Sequence, residues 1–329
     1  YRPSMIPNKD LGWEISRTAN FGVDFGLWNN RISGYIEGYI TKTSDLLMER
    51  TLPFFTGFSK VWQNIGKTEN KGIELNIQAN TLKTKSFSWE TTVTFARNWN
   101  KITELLGGGD IRNNSWFIGK PLQVHYNYEM IGVWQLGEEK EAQKYGAIPG
   151  DIKVKDQNND GSIGELDKVI LGQKDPKIIA SLLNSFRFGA FDASINLNMN
   201  FGSLIHPNTY ASLITRDGLR WMPSNFKYWT PDNPTNEYTR ADKLSGYDPF
   251  AGTGGYMKGD YIKIQDITLG YDFSKIMPKN WKILRARLYA QVRNLGYIYK
   301  ACKNDVSPEA PDFDYNIPTT YTMGINIDF

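Results

Sequence analysis

Five oxygen-bearing side chains in one short stretch have the spacing of a cation loop. Asp156, Asn158, Asp160, Ser162 and Asp167 fall at positions 1, 3, 5, 7 and 12 of a segment whose sixth residue is Gly161. Oxygen donors at that spacing suit Ca2+, with the glycine making the sharp turn and Ser162 offering its backbone carbonyl. Aspartate at the last position is shorter than the usual glutamate, which favours weaker binding or Mg2+. The same residues suit a turn ordered without metal by side-chain to backbone hydrogen bonds. No helix pair flanks the loop, so a calcium-triggered helix switch is not expected.

A second group is aromatic. Trp221, Tyr228, Trp229, Tyr238, Tyr247 and Tyr256 lie between Ser203 and Lys258 among Asp, Asn and Arg residues. Exposed rings there would stack on a sugar or peptide, or would pack the loop against its neighbours or a partner protein. Nothing supports catalysis. His125 and His206 are the only histidines, far apart and without a nearby nucleophile or carboxylate motif, and no phosphate-cradling glycine loop is present. No enzyme is expected.

The elements that must hold these residues read as β-strands. Apolar residues alternate with polar ones in Phe191, Ala193, Ile195, Leu197, Met199 and Phe201, interleaved with Asp192, Ser194, Asn196, Asn198 and Asn200. The same period of two recurs over 21–27, 32–40, 73–79, 89–95, 122–128 and 286–292, and the other face carries Asp24, Glu37, Glu74, Gln78, Glu129, Arg285, Arg287 and Arg293. Those charges suit ladders along a barrel wall. Two stretches depart from the pattern: Ile178 to Phe188 is apolar on both parities, and a shift between Ile264 and Ile267 predicts a bulge. With a further strand near 110–118, turning at Gly119, Lys120 and Pro121, the count reaches about eleven.

Connections alternate between tight turns, at 28–31 and 189–190, and long loops at 42–70, 135–177, 203–258 and 297–318. That asymmetry matches an outer-membrane barrel with short periplasmic turns and long extracellular loops. Composition agrees. Aromatic residues make 14% of the 329, yet mean hydropathy is −0.48 and no run approaches the roughly 18 apolar residues of a membrane helix. Strands greasy on one side only give such an average. A formal net charge of +3 leaves no nucleic-acid footprint, and the single Cys302 excludes an internal disulfide. The end of the chain alternates too, with Tyr321, Met323, Ile325, Ile327 and Phe329 in one row and a terminal aromatic suited to the bilayer interface, the pattern of an outer-membrane insertion signal.

Specific residues then resemble a family. Ile148 through Asp156, followed by Asn159, Asp160, Gly161, Ile163, Asp167, Gly172 and Pro176, is similar to a stretch of SusC/RagA-type TonB-linked outer-membrane proteins. Further similarities, in family order, are Asn29 to Gly34, Thr43 to Leu47, Asn70 to Glu74, Tyr228 to Pro234, Ile267 to Tyr271, Arg293 to Leu295 and Asp305 to Glu309. Gly38, where an aromatic is usual, and Arg293, where Gln is common, depart from the family pattern.

The resemblance implies an all-β transmembrane antiparallel barrel of 22 strands, of which residues 1–329 would be the carboxy-terminal part without the plug domain. It implies import of oligosaccharides or peptides, a SusD-like surface lipoprotein as lid, drive from TonB-ExbB-ExbD through the amino-terminal part, and contact with membrane lipid in the outer membrane of a Gram-negative bacterium. The start at Tyr1, with no signal peptide, is expected to lie mid-protein. A passive porin and a soluble calcium-binding β-sandwich that takes carbohydrate are the competing expectations.

Overall fold

The computed structural model describes residues 6–215, 226–240, 250, 252–278, 283–303, 306–312 and 317–328. In chain order the strands are β1 (Ile15–Leu27), β2 (Ile32–Thr51), β3 (Lys60–Lys83), β4 (Phe87–Leu105), β5 (Val124–Tyr128), β6 (Met130–Val133), β7 (Ile152–Val154), β8 (Lys168–Gln173), β9 (Ile178–Phe188), β10 (Phe191–Phe201), β11 (Leu204–Ile205), β12 (Met257–Lys258), β13 (Tyr261–Asp272), β14 (Arg285–Lys300) and β15 (Thr320–Asp328). Among the described residues, the helices α1 (Glu139–Lys144) and α2 (Asn208–Thr215) lie in the connections.

Nine strands form one antiparallel sheet in the order β1-β2-β3-β4-β9-β10-β13-β14-β15. Each neighbour in the sheet is the next sheet strand in sequence, so the chain runs up and down without a crossover. The outer margins of β1 and β15 have no strand partner among the described residues.

Register explains the alternation. Val23 lies opposite Ile36, Ile36 opposite Leu75 and Leu75 opposite Phe95, so one apolar row crosses four strands. Ala290 opposite Met323 and Leu288 opposite Ile325 continue that face at the far margin. The face is not covered: Phe21 is 76% exposed, Phe191 60% and Met323 77%. An apolar surface spread over nine strands is far beyond what a protein in water presents, and lipid is the solvent that suits it.

The opposite face is polar and tied across strands. Thr18 and Thr41 share a hydroxyl contact at 2.9 Å, Asn20 donates to Glu37, Gln78 donates to Glu90, and Arg287 donates to Asp192 through Nε at 2.8 Å. Arg285 pairs with Asp272 at 3.6 Å. Large rings on this face lie over glycine: a Cβ at Gly72 would stand 2.3 Å from Tyr39 Cζ, and one at Gly324 would stand 2.6 Å from Tyr289 Oη.

The tight end is set by backbone chemistry. Trp28, Asn29 and Asn30 all take positive φ, at 50°, 56° and 59°, a conformation that asparagine tolerates better than most residues. Gly189, at φ 60°, makes the turn from β9 to β10. The expected bulge is present, where the register of β13 with β14 shifts between Ile264 and Asp266. In β9 the even positions join the apolar row, and Asn184 sits in that row with Trp89 Nε1 and Thr91 Oγ1 donating to its Oδ1 at 2.9 and 2.8 Å.

Four expectations need correction. The segment 110–118 is no strand; it holds a single turn at Arg112–Asn114, and beyond it Ile102 N donates to Lys120 O while Gly119 N donates to Ile102 O. This segment covers the edge of β4 above the point where β9 begins, which removes open backbone groups that would template foreign pairing. The strand at 122–128 does form, as β5, but it pairs with β8 outside the sheet. Among the described residues the sheet therefore has nine strands and not eleven, and because two drop out together the up and down order is kept. Finally, β2 and β3 run through most of 42–70, leaving a connection over 52–59 only.

Candidate functional site

Chemistry-bearing residues gather at the long-loop end, in a lobe built from the insertions between β4 and β9, between β10 and β13 and between β14 and β15. The β6–β7 hairpin and α1 hold its first part. Trp134, buried, stacks on Tyr145 at 6.0 Å, and the Lys153 ammonium lies 4.3 Å from the Trp134 ring centre. Tyr145 Oη donates to Asp156 Oδ2 at 3.3 Å, which anchors the start of the 156–167 loop. Burial and the nearby Asp156 carboxylate push the Tyr145 hydroxyl pKa up.

That loop closes on itself. Gly161 N donates to Asp156 Oδ2 at 2.9 Å; Ser162 donates to Asp160 Oδ1 from both its amide and its hydroxyl, each at 2.8 Å; and Asn158 donates to Asp160 Oδ2 at 2.8 Å. The Ser162 and Asn158 donors hold the Asp160 carboxyl below its usual range. Asp167, 1% exposed, accepts from Gln157 N at 2.8 Å and Gly164 N at 2.7 Å. Asp156 Oδ1 is buried with no hydrogen-bond partner, but among the described residues no group of three or more His, Cys, Asp or Glu side chains is placed to hold a metal ion. In this structure the loop is ordered by Asx-type hydrogen bonds.

The aromatic group is brought together differently from a stacking platform. Trp229 is buried, and its indole N–H donates to Gln135 Oε1 at 2.8 Å. Its ring lies on Gly150, where a Cβ would come within 2.6 Å of Trp229 Cε3. Arg240 completes the joint, with its amide donating to Gly150 O and its Nε to Asp151 Oδ1, both at 2.8 Å. Tyr228 and Tyr238 pack with Phe226, at 6.0 Å and 5.0 Å between ring centres, and Tyr238 Oη lies 3.3 Å from Tyr210 Oη. Tyr210, Cys302 and Val306 form the buried core beneath them. In this structure Trp229 is thus internal packing, its ring closed off by protein. Trp221, Tyr247 and Phe329 lie outside the described residues.

The two histidines, distant in sequence, meet around Tyr256. His206 lies 4.2 Å and His125 5.2 Å from the Tyr256 ring centre, and the imidazoles are 6.3 Å apart. His125 Nε2 bonds Leu204 O at 2.9 Å, His206 Nε2 bonds Gly254 O at 3.1 Å, and Asn127 donates to Tyr256 Oη at 3.2 Å. Burial pushes the His125 pKa below the ordinary value, with Lys174 and His206 adding to the effect.

Beside this cluster two cavities, of about 440 and 460 Å3, share Met130, Asn236, Gly255 and Tyr256. Glu237 and Lys303 line the first and pair at 2.9 Å, and Leu171 and Leu204 line the second. Of these, only Tyr256 stood out in the sequence. Met130, Asn236 and Lys303 come from three separate insertions, and nothing in their local pattern signals that they converge.

The charges expected on the wall divide. Asp24, Glu37, Glu74, Arg285 and Arg287 face the polar side, whereas Glu129 sits between β5 and β6, accepts from Gln157 Nε2 at 2.9 Å and pairs with Lys155 at 3.3 Å. The lobe is pinned to the wall by Lys263, whose side chain is 4% exposed and meets Glu309 at 2.7 Å; Tyr297 Oη donates to the same carboxylate at 2.7 Å.

Comparison with known proteins places this geometry. The family model described as TonB dependent receptor-like, beta-barrel, matches residues 2–295. TonB-dependent receptor P26 of Formosa agariphila is 27% identical over 100% of this chain and 36% of its own length, and TonB-dependent receptor SusC of Bacteroides thetaiotaomicron is 28% identical over 98% and 32%. Among solved structures, that of the RagAB peptide transporter superposes with a TM-score of 0.80 at 22% identity, covering 98% of this chain and 36% of the other. Its open-open state gives 0.70 at 20% identity, covering 99% and 36%. The chain thus spans about a third of the length of the relatives it matches.

Proposed function

The chain belongs to the TonB dependent receptor-like β-barrel family, whose place is the outer membrane, and on that premise we propose that it forms part of an active importer for oligosaccharides or peptides. That family consists of receptors and transporters rather than enzymes. The observation that carries the reading is the sheet itself: nine strands with one exposed apolar face, one polar cross-linked face, and a folded lobe at the long-loop end. Such a wall separates lipid from an aqueous lumen. The lobe then supplies the solute chamber, with the cavities around Tyr256, Asn236, Glu237 and Lys303 offering one ring, one amide and both signs of charge.

A SusD-like surface lipoprotein as lid and energy from TonB-ExbB-ExbD complete the proposal. Its support is the likeness to TonB-dependent receptor SusC and to the structure named the RagAB peptide transporter. The test is uptake of labelled peptides and oligosaccharides by cells with and without the intact gene, before and after the proton-motive force is collapsed. Uptake that needs both the gene and the force is expected. Uptake that survives collapse would mean a passive pore, and no gene dependence would end the reading.

A further inference from the structure

On the lipid-facing side of β1 to β4, the apolar rows give way to basic ones as the strands approach the long-loop end. Arg17, Lys42, Glu69 and Lys101 lie in a single cross-strand row, and the row below it carries Ala19, Ile40, Lys71 and Trp99. Below that, Phe21, Gly38 and Ile73 line up with Arg97. The register is unbroken from these rows down to Val23, Ile36, Leu75 and Phe95, so all these side chains share the apolar face.

Height places the basic rows at the membrane surface. From Leu27 at the tight turn to Arg17 is ten residues, about 34 Å along a strand at roughly 3.4 Å each. Tilted by about 40°, that is about 26 Å of height, close to the roughly 25 Å apolar band of such barrels. Arg17, Lys42 and Lys101 therefore stand where the hydrocarbon of the outer leaflet ends. Lys71 and Arg97, one and two rows lower, are long enough to reach the same level.

The charge is an excess and not a set of closed pairs. Glu69, its side chain 11% exposed, is shared by Lys71 and Lys101 at 3.1 Å and by Lys42 at 3.9 Å, while those three lysines remain 52%, 47% and 69% exposed. Lys67 is matched by Glu104 at 2.6 Å. The Arg97 guanidinium lies 4.6 Å from the Trp99 ring centre and makes no ion pair among the described residues. Arg17, Lys42 and Lys67 line a groove of about 620 Å3 together with Ile15, Ala19 and Ile40, so three cations and aliphatic groups share one recess with the Glu69 carboxylate that the lysines surround. The patch is local: across β9 and β10, the row that carries Arg97 continues as Ile178 and Phe201.

We propose that this outward surface of β1 to β4 binds the phosphate groups of an anionic lipid in the outer leaflet, with the aliphatic part of the groove receiving acyl chain. The inference rests on placement in the outer membrane and not on what is imported. Clustered lysines and arginines at a membrane surface gain free energy from anionic head groups, roughly additively per cation. Without such a ligand, like charges would crowd one another at an apolar margin, with only Glu69, Glu104 and Asp45 to offset six cations.

The test uses the full-length protein in nanodiscs of phosphatidylcholine alone, of phosphatidylcholine with monophosphoryl lipid A, or with the same lipid A after phosphatase treatment. Bound lipid is read by native mass spectrometry and stability by Tm. The phosphorylated lipid should be retained and should raise Tm, and Lys42→Gln, Lys71→Gln, Arg97→Gln and Lys101→Gln together should weaken retention about tenfold or more. Glu69→Gln, which removes the shared carboxylate, should retain the lipid as well or better; a cluster built only to brace the sheet would instead lose Tm equally in all three discs. Equal retention of dephosphorylated lipid, equal retention by the fourfold variant, or complete displacement by millimolar inorganic phosphate would each overturn the proposal.

Discussion

Trp229 lies against Gly150, close enough that a Cβ there would meet its ring carbon Cε3 at 2.6 Å. Two stretches distant in sequence, the Pro149-Gly150-Asp151 turn and the Tyr228-Trp229 pair, are thereby one joint, closed by Arg240 on Asp151. Gly150 also takes φ 92°, so Gly150→Ala meets both strain and a clash. A loss of about 1–3 kcal/mol in lobe stability is expected. Tryptophan emission and limited proteolysis check it; an unchanged cleavage pattern would show the joint to be dispensable.

Gly72 works by shape alone. Its Cβ position is occupied by the Tyr39 ring, so Gly72→Val should lower the yield of protein assembled in the outer membrane, whereas Gly72→Val with Tyr39→Ala should recover part of it. Heat-modifiable migration on gels reads the assembled fraction. Equal yields for the single and double variants would contradict the steric account.

The histidine cluster makes the lobe sensitive to acid. Burial depresses the His125 pKa from the ordinary value of 6.5, so the unfolded lobe binds more protons than the folded one as pH falls below that value. The stabilisation is present above pH 6.5 and is lost as pH falls through the depressed value. Amide exchange around 204–206 and 254–258 should accelerate in that window, and His125→Gln should flatten the dependence. Identical profiles with and without His125 would assign the effect elsewhere.

Asp167 organises the 156–167 loop by accepting two backbone amides while 1% exposed. Asp167→Ala strands both donors at about 1–3 kcal/mol each, and exchange at Gln157 and Gly164 should rise steeply. Because the loop's own hydrogen bonds order it, adding calcium or a chelator should leave exchange in the wild type unchanged. Protection gained with calcium would instead favour the cation reading.

Releasing the lobe from the wall needs one change. Glu309→Gln leaves Lys263, 4% exposed, without its carboxylate, a loss of about 3–5 kcal/mol for an uncompensated buried charge. Cleavage within 306–312 by added protease on intact cells should increase while barrel assembly persists. Loss of the barrel itself would show that the pair supports the wall and not the lobe.

The wall was legible in the sequence because a strand writes its two faces at a period of two, and the rows from Val23 to Phe95 needed no more than that. The strand ends were not legible. β2 and β3 continue past the bilayer, where lipid no longer enforces alternation and Leu46, Leu47 and Met48 read as a loop. Short strands such as β5 carry the same alternation whether they join the main sheet or pair with β8, so local pattern could not separate the cases. The cation spacing reads two ways for a related reason: oxygens placed to ligate an ion are equally placed to cap backbone amides, the use that Asp156, Asp160 and Asp167 show here. The burial of Trp229 was not legible because it depends on a lobe of three insertions that sequence alone cannot fold together.

The margins of β1 and β15, without a strand partner among the described residues, bear on the order of assembly. Each margin presents a run of backbone amides and carbonyls, and in hydrocarbon every unmet one costs several kcal/mol. These nine strands cannot therefore enter the bilayer first and find neighbours afterwards; strand addition at both margins must accompany or precede insertion. Ile15 to Leu27 and Thr320 to Asp328 are accordingly the seams where a mutation would stall biogenesis while leaving the finished protein's chemistry untouched.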